Sequence, residues 1–463
     1  MFPFTRSHIR QDKINVSIRF GNQVLTKLRR KLLADLTKEH YAILLAKHQQ
    51  VGNLVIFTVV ETRFPDNQRY KNQSSASLTV DGKFATDILN EIDRRIDVDT
   101  FIEVHTHPFS QQDAWFSAID DRDESEYCKY IHGQSQGMYY ATIVFSQTQY
   151  KARFWRVDKN GRAIHSPALI RTQKISEQIP SPDDIEEAPE VGDMFQRSVL
   201  ALGLDNVRKM TSGQIVTIIG AGGLGSVIAE HLVHLGIRYI NLVDFDKLEL
   251  TNLNRIVGAY YRDAKKQRLK TECIKEHLQL INPQAIVNAC PLNVFDKAIE
   301  PIIAESNWIF VATDNHASRY QVQLLAFKYY VPFITAGVNI SVENDTVTDM
   351  SGEVILVRVG DNVCLQCLRR INYDEVAKVI HPDETVREGL VARGYVTGRD
   401  VKEPAVKTLN THLATLAVDV FVNQFTERQQ DRVITVYENN ECPVIYENTN
   451  NVYYRNLKCS VCG

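Results

Sequence analysis

Two histidines one residue apart, in Glu103-Val-His105-Thr-His107-Pro108, precede Phe116-Ser117-Ala-Ile-Asp120-Asp121. On a strand, side chains alternate with a period of two, so His105 and His107 point to one face. Asp120, thirteen residues after His107, can supply a third ligand and leave the fourth position to water, the open geometry a hydrolytic zinc requires. Cys364-Leu-Gln-Cys367 and Cys459-Ser-Val-Cys462 suggest a different metal chemistry. Each CxxC turn puts two thiolates on one side of a tight loop. Two such turns complete a closed, structural zinc site that pins the last residues of the chain back onto the domain. A third pattern suits a phosphate. The apolar run Ile215–Ile219 leads into Gly220-Ala-Gly222-Gly223-Leu-Gly225 and then a helix opening with Ser226. There the backbone can turn sharply and approach an anion at the helix N-terminus. Asp244, nineteen residues beyond Gly225, closes the next strand, where a carboxylate accepts from a ribose hydroxyl.

The elements that position these residues fall into two classes. Residues 1–165 read as α+β, with a helical stretch around Asn22–Leu36 and strand-like runs at Leu54–Val60 and Met138–Phe145. The segment SPALIRTQKISEQIPSPDDIEEAPEVGD holds Pro167, Pro180, Pro182 and Pro189 and turns acidic. Such a composition predicts a linker over 166–192. From 193 to 463 strand and helix alternate through IVTIIG, YINLVDFD, IVNACPL, WIFVAT and FITAGV, which predicts an α/β, Rossmann-like domain with a mainly parallel sheet.

Fold alone does not separate a nucleotidyl transferase from a nicotinamide dehydrogenase. The residues after Asp244 do. They read VDFDKLELTNLNR, with Lys270, INP (Ile281 to Pro283) and VATDN (Val311 to Asn315) further on. From Phe195 to the C-terminus the order and spacing of these segments resemble the ThiF/HesA-type, ubiquitin-activating adenylyltransferase family. The resemblance implies that Asp244 and Asp246 hold ribose and adenosine and that Asn252, Arg255 and Lys270 surround the triphosphate of ATP. It also implies that Asp314 holds Mg2+ and that Asn315 belongs to the nucleotide-binding set. Singly, Asn252 and Asn254 read equally well as turn residues and Lys270 as a solvated lysine, and Lys265 and Lys266 are lesser candidates for its role. Arg197 in FQRSVLALG resembles the arginine that reaches into a partner subunit's nucleotide site, which implies a homodimer. The two CxxC pairs also occur in that family. Its members often carry a thioester-forming cysteine after the first pair, but Leu368–Thr408 has none. Cys442 is the remaining, weak candidate, while Cys273 and Cys290 read as core.

The histidine segment resembles the JAMM (MPN/JAB) metallo-isopeptidase family, whose pattern is a distant Glu, then HxH, then SxxD. The resemblance implies an N-terminal JAB/MPN-like domain with His105, His107 and Asp120 on a catalytic Zn2+. Ser117 would stabilise the oxyanion and an upstream glutamate would act as general base. Glu39 matches that glutamate best and Glu61 is its rival. Nine residues separate His107 from Ser117, so the intervening loop is longer than the family's. Asp113 and Asp121 are substitute ligands on paper. His40, His48 and His132 lack motif company and read as surface residues.

The bulk properties set the outer bounds. At 463 residues, 44% hydrophobic and 24% charged, with net charge -3, the chain has the makeup of a soluble multidomain protein with no pull toward nucleic acid or membrane. Charges in MFPFTRSHIRQDK argue against a signal peptide. Eight cysteines without an export signal suggest a reducing, cytoplasmic setting. Together these features predict a bifunctional enzyme of a bacterial-type ubiquitin-like system. It would trim or deconjugate the modifier and adenylate its C-terminal glycine, with a conjugating enzyme or sulfur donor downstream. The alternative is activation of a sulfur-carrier protein for thiocarboxylate formation. A non-catalytic adaptor is the reading from outside enzymology.

Overall fold

The computed structural model describes residues 14–75, 77–135, 137–181, 191–361, 363–380, 404–449, 456 and 458–462. The chain divides into two compact units, Met1–Ala188 and Pro189–Gly463. No helix among the described residues is long and apolar enough to cross a membrane.

The first unit contains β1 (Asn15–Arg19), α1 (Val24–Leu32), β2 (Tyr41–Val51), β3 (Leu54–Arg63), β4 (Tyr70–Gln73), β5 (Leu78–Val80), α2 (Gly82–Arg94), β6 (Thr100–Thr106), α3 (Ala118–Gln134), β7 (Tyr139–Phe145), β8 (Tyr150–Val157) and β9 (Ala163–Arg171). Seven strands close a barrel in the order β1-β3-β2-β6-β7-β8-β9, and β4 and β5 form a separate ribbon. β1 seals the barrel by pairing in parallel with both β3 and β9, which leaves no open edge for another chain to extend. The strands are apolar on both faces because both are covered. Ala42, Leu44, Ala46, Ile102 and Val104 pack with Leu25, Leu28 and Leu32 of α1. Their neighbours Ile43, Leu45 and Phe101 pack with Ile88, Leu89 and Ile92 of α2 and with Cys128 and Ile131 of α3. By the same alternation, Glu103 and His105 follow Phe101 onto the face covered by α2 and α3.

Several boundaries differ from expectation. The first helix ends at Leu32, short of Leu36, because the Asp35 carboxylate accepts the Thr37 N–H in a turn. The larger correction concerns the segment expected as a linker from 166. Ala163–Arg171 is instead a barrel strand. Pro167 and the later prolines dominate the composition, but Ala168 and Ile170 alternate into the barrel core and are buried. The chain then packs down as far as Ile179, which joins the same core. Residues 182–190 of that segment lie outside the described residues.

The second unit opens with α4 (Gln196–Leu202) and α5 (Leu204–Thr211), followed by β10 (Ile215–Ile219), α6 (Gly223–His234), β11 (Tyr239–Val243), α7 (Tyr261–Lys265), α8 (Lys270–Ile281), β12 (Ile286–Cys290), α9 (Ile299–Glu305), β13 (Trp308–Val311), α10 (His316–Lys328), β14 (Phe333–Glu343), β15 (Thr346–Val357), α11 (Tyr373–Ile380), α12 (Lys407–Thr426), β16 (Ile434–Asn439) and β17 (Pro443–Glu447). One eight-stranded sheet runs β12-β11-β10-β13-β14-β15-β16-β17. The first five strands are parallel and the last three antiparallel. Strand order reverses at β10, which lies between β11 and β13. In open α/β sheets, ligands bind in the crevice at such a switch point, outside the carboxyl ends of the strands. α12 closes the core, with Phe421 set edge-on against Trp308 and Phe310.

Candidate active sites

In the first unit the barrel and α3 bring the two histidines to Asp120. The ligand atoms of His105, His107 and Asp120 lie within 4.8 Å of one another, and His105 Nε2 stands 3.6 Å from Asp120 Oδ1. Two ligands about 2.0–2.2 Å from a tetrahedral zinc are separated by about 3.3–3.5 Å, so the spacing fits the ion. His105 Nε2 and His107 Nδ1 are buried with no hydrogen-bond partner, as ring nitrogens reserved for a metal would be. Burial depresses both imidazoles, His105 to about 4, and so keeps them in the neutral form that ligates.

Ser117 and Asp120 are fixed by the start of α3. Ser117 Oγ accepts the Asp120 N–H at 3.2 Å, and Asp120 Oδ2 accepts the Ser117 N–H at 2.6 Å. This capping box occupies one carboxylate oxygen of Asp120 and leaves Oδ1 toward His105. Glu39 sits just before β2, buried, with its N–H donating to Ser74 O at 2.8 Å. Burial, reinforced by the Asp120 charge, pushes its carboxyl up to about 7, the range suited to a general base at neutral pH. Glu61 is placed differently. Its strand register matches Leu45, whereas His105 matches Tyr41, four residues or roughly 13 Å further along β2. It is ion-paired with Arg63 and, at 2.9 Å, with Arg95, and its hydrogen bond from Arg63 helps hold its pKa down.

Asp121 is engaged by Arg153 at 2.5 Å, and Asp113 is exposed. The surface expectation for three histidines holds only for His132. His40 and His48 are half-buried, His48 because its ring stacks on Tyr139 at 3.7 Å. Two features gave no motif signal. Phe109 and Trp115, on the long loop, flank the His107 ring at 5.3 and 5.1 Å, and Arg153 with Glu124 forms a buried pair beneath α3.

In the second unit the glycine loop meets Asp244 and the end of β13 at the switch point. Gly220 has φ +95°, which a side chain rarely adopts, and a Cβ there would meet Ala312 O at 2.8 Å. A Cβ on Gly225 would collide with Gly220 O. Gly222 faces open space, while the stem of Arg255 lies over Gly223. Asp244 Oδ2 accepts the Ala221 N–H at 2.7 Å and Oδ1 accepts the Asp246 N–H at 2.8 Å. Burial raises the Asp244 pKa, and the Lys270 charge opposes the rise. Each oxygen keeps a lone pair for a ribose hydroxyl. Lys270 Nζ lies 2.6 Å from Asp246 Oδ2.

Arg255 Nη1 donates to Thr251 O and Asn254 Oδ1. Asn252 Oδ1 accepts the Glu249 N–H, and Asn315 Oδ1 caps α10 by accepting from Ser318 N. Both asparagines therefore do structural work through their carbonyls. Asp314 is exposed just beyond β13, and Lys265, Lys266 and Arg197 are exposed as well. Thr313, the threonine of VATDN, has a hydroxyl that is buried without a partner; the resemblance assigned roles only to Asp314 and Asn315 of that segment.

The four CxxC sulfurs lie within 4.8 Å of one another, with Cys364–Cys459 at 3.7 Å and Cys367–Cys462 at 3.5 Å. A tetrahedron of about 2.3 Å Zn–S bonds has edges of about 3.8 Å, so the cage fits zinc. Cys273 and Cys290 are buried, and Cys442 is exposed in the turn between β16 and β17. Residues 381–403 of the stretch after the first pair lie outside the described residues.

A model of the ThiF family matches residues 195–434, more than half of the chain. The chain belongs to the ThiF family. Its relatives include the molybdopterin-synthase adenylyltransferase of Escherichia coli (strain K12), 27% identical over 179 residues, covering 38% of this chain and 68% of that one. Ubiquitin-like modifier-activating enzyme 5 of Drosophila grimshawi is 28% identical over 194 residues, 39% of this chain and 46% of that one. The adenylyltransferase and sulfurtransferase UBA4 of Meyerozyma guilliermondii is 33% identical over 118 residues, 26% and 27% of the two chains. The chain thus spans about two thirds of the first and less than half of the other two.

Proposed function

We propose that the ThiF unit adenylates the C-terminal carboxylate of a small carrier protein with ATP. The observation that carries this reading is the cluster of glycine loop, Asp244, Asp246 and Lys270 at the switch point. A carboxylate oxygen attacks the α-phosphorus, and the bond from that phosphorus to the bridging oxygen of the β-phosphate breaks. Pyrophosphate then leaves with the electron pair. The nucleophile is already ionised, so no base is required. The task of the protein is to screen two converging anions, which suits Lys270 and Arg255. Asp314 suits Mg2+, which when bound neutralises phosphate charge. Arg197, exposed on α4, suits a reach into a second copy of the chain.

A sulfur-carrier protein leads as substrate, ahead of the ubiquitin-like modifier that the motifs put first. The relatives support this order, since one is named for molybdopterin synthase and another is named a sulfurtransferase. The relative named for ubiquitin-like modifiers keeps the modifier as the second candidate. The test is ATP–pyrophosphate exchange with a glycine-tailed carrier, followed by mass analysis of its C-terminus. Exchange that depends on Asp314 supports adenylation, and a thiocarboxylate product supports the sulfur carrier. Absence of exchange with sulfur-carrier and ubiquitin-like proteins alike would sink the reading.

For the first unit, the orphaned ring nitrogens of His105 and His107 favour a zinc-dependent isopeptidase acting on such a tail. Zinc there supplies a Lewis acid and lowers the pKa of water. As the water oxygen bonds to the carbonyl carbon of the tail, Glu39 would take the water proton and Ser117 Oγ–H would donate to the developing oxyanion. The carbon–nitrogen bond then breaks and Glu39 passes the proton to the leaving amine. Glu39→Gln should lower tail cleavage at least about 10²-fold with zinc content unchanged. Cleavage that survives this change would refute the assignment.

A further inference from the structure

Arg153 is 4% exposed and belongs to no motif. It lies on β8, opposite Thr142 of β7. Its guanidinium also lies 4.8 Å from the Trp155 ring on its own strand, and its three other contacts are all with the segment that opens α3. Nε donates to Glu124 Oε2 at 2.8 Å, Nη1 donates to Asp121 Oδ1 at 2.5 Å, and Cζ sits 3.7 Å over the Phe116 ring. Glu124 Oε2 also accepts from Thr142 Oγ1 and Trp155 Nε1, each at 2.7 Å, which ties the far end of the clamp to the barrel wall. The held residues bracket Ser117 and Asp120 on both sides. A buried ion pair adds little net stability over an apolar filling of the same volume, whereas a planar guanidinium with two ionic partners and a stacked ring fixes geometry tightly.

We propose that Arg153 is a positioning residue for the metal site. It locks the first turn of α3 against the barrel so that Asp120 Oδ1 faces His105 and His107. The inference rests on the reading of His105, His107 and Asp120 as zinc ligands. Ligand distances in a metal site tolerate only about 0.2 Å, so a turn free to rotate would lose the carboxylate.

The test titrates zinc and cobalt into the full-length chain. Thiolate-to-cobalt charge transfer from the four-cysteine site serves as an internal reference, and weaker d–d bands report the histidine site. Arg153→Met is expected to weaken metal binding at the histidine site about 10- to 100-fold and shift its cobalt bands, with the cysteine site unchanged. Arg153→Lys should restore part of the affinity. A folded Arg153→Met protein with wild-type affinity and bands overturns the proposal. If that variant does not fold, Asp121→Asn decides, because the Asp121 side chain is 58% exposed and its loss leaves Arg153 its buried partner Glu124. A measurable weakening supports the clamp, and unchanged affinity overturns it. His105→Ala separates the two layers of the argument. If it removes no metal from the wild-type count, the site reading itself falls and the clamp falls with it.

Discussion

Replacing Lys270 with methionine should separate chemistry from stability in the ThiF unit. The Nζ–Oδ2 distance to Asp246 is 2.6 Å, but the Asp246 side chain is 50% exposed and that of Lys270 11%. Solvent screens such a pair, so its contribution to folding is under about 1 kcal/mol. In a unit of this size that corresponds to a fall in Tm of about 2–4 °C at most. The effect on adenylation is of a different order. Removing one preorganised positive group from a site of developing phosphate charge costs about 2.7–4 kcal/mol, or 10²- to 10³-fold in rate. A second signature comes from Asp244. Its pKa is raised by burial and opposed by Lys270, so losing the lysine favours the protonated carboxyl, a poorer acceptor for ribose. The KM for ATP should therefore rise as kcat falls. Pyrophosphate exchange and thermal unfolding, measured on the same preparation, give both numbers. If exchange stays within about threefold of wild type while Tm is unchanged, Lys270 does not act on the phosphates and the phosphate assignment is wrong.

Gly225→Ala should abolish ATP binding and lower the stability of the ThiF unit by about 1–3 kcal/mol, because the new Cβ would collide with Gly220 O. Isothermal titration with ATP and a denaturant melt check this, and wild-type binding would contradict the loop geometry. Cys364→Ser should lower bound zinc by one per chain and free the segment around Cys459 and Cys462 for proteolytic trimming. Unchanged metal content would show that the four thiols do not share an ion.

Legibility in the sequence followed the physics of each element. The α/β unit could be read because a parallel sheet buries whole strands, so IVTII and WIFV stand out as apolar blocks between helices. The spacing from Gly225 to Asp244 reflects one helix and one strand of fixed rise. The four cysteines could be read because a thiolate pair on a tight turn has few other uses. The end of the barrel could not. Its last strand, Ala163–Arg171, carries Pro167 and only two inward apolar residues, Ala168 and Ile170. It pairs antiparallel with β8 on one side and in parallel with β1 on the other, the second a contact across some 150 residues that local composition cannot express. Arg153 was hidden for a related reason. A single buried charge is visible only through its partners, and Asp121, Glu124 and Phe116 lie about thirty residues upstream. Glu39 falls between these cases. Strand position ahead of Tyr41 marked it out from Glu61, and its raised pKa then distinguishes it chemically, since Glu61 is held ionised by Arg63 and Arg95. A general base must be both near the site and poised to accept a proton, and the barrel register supplies the first condition through the same fold that, by burial, supplies the second.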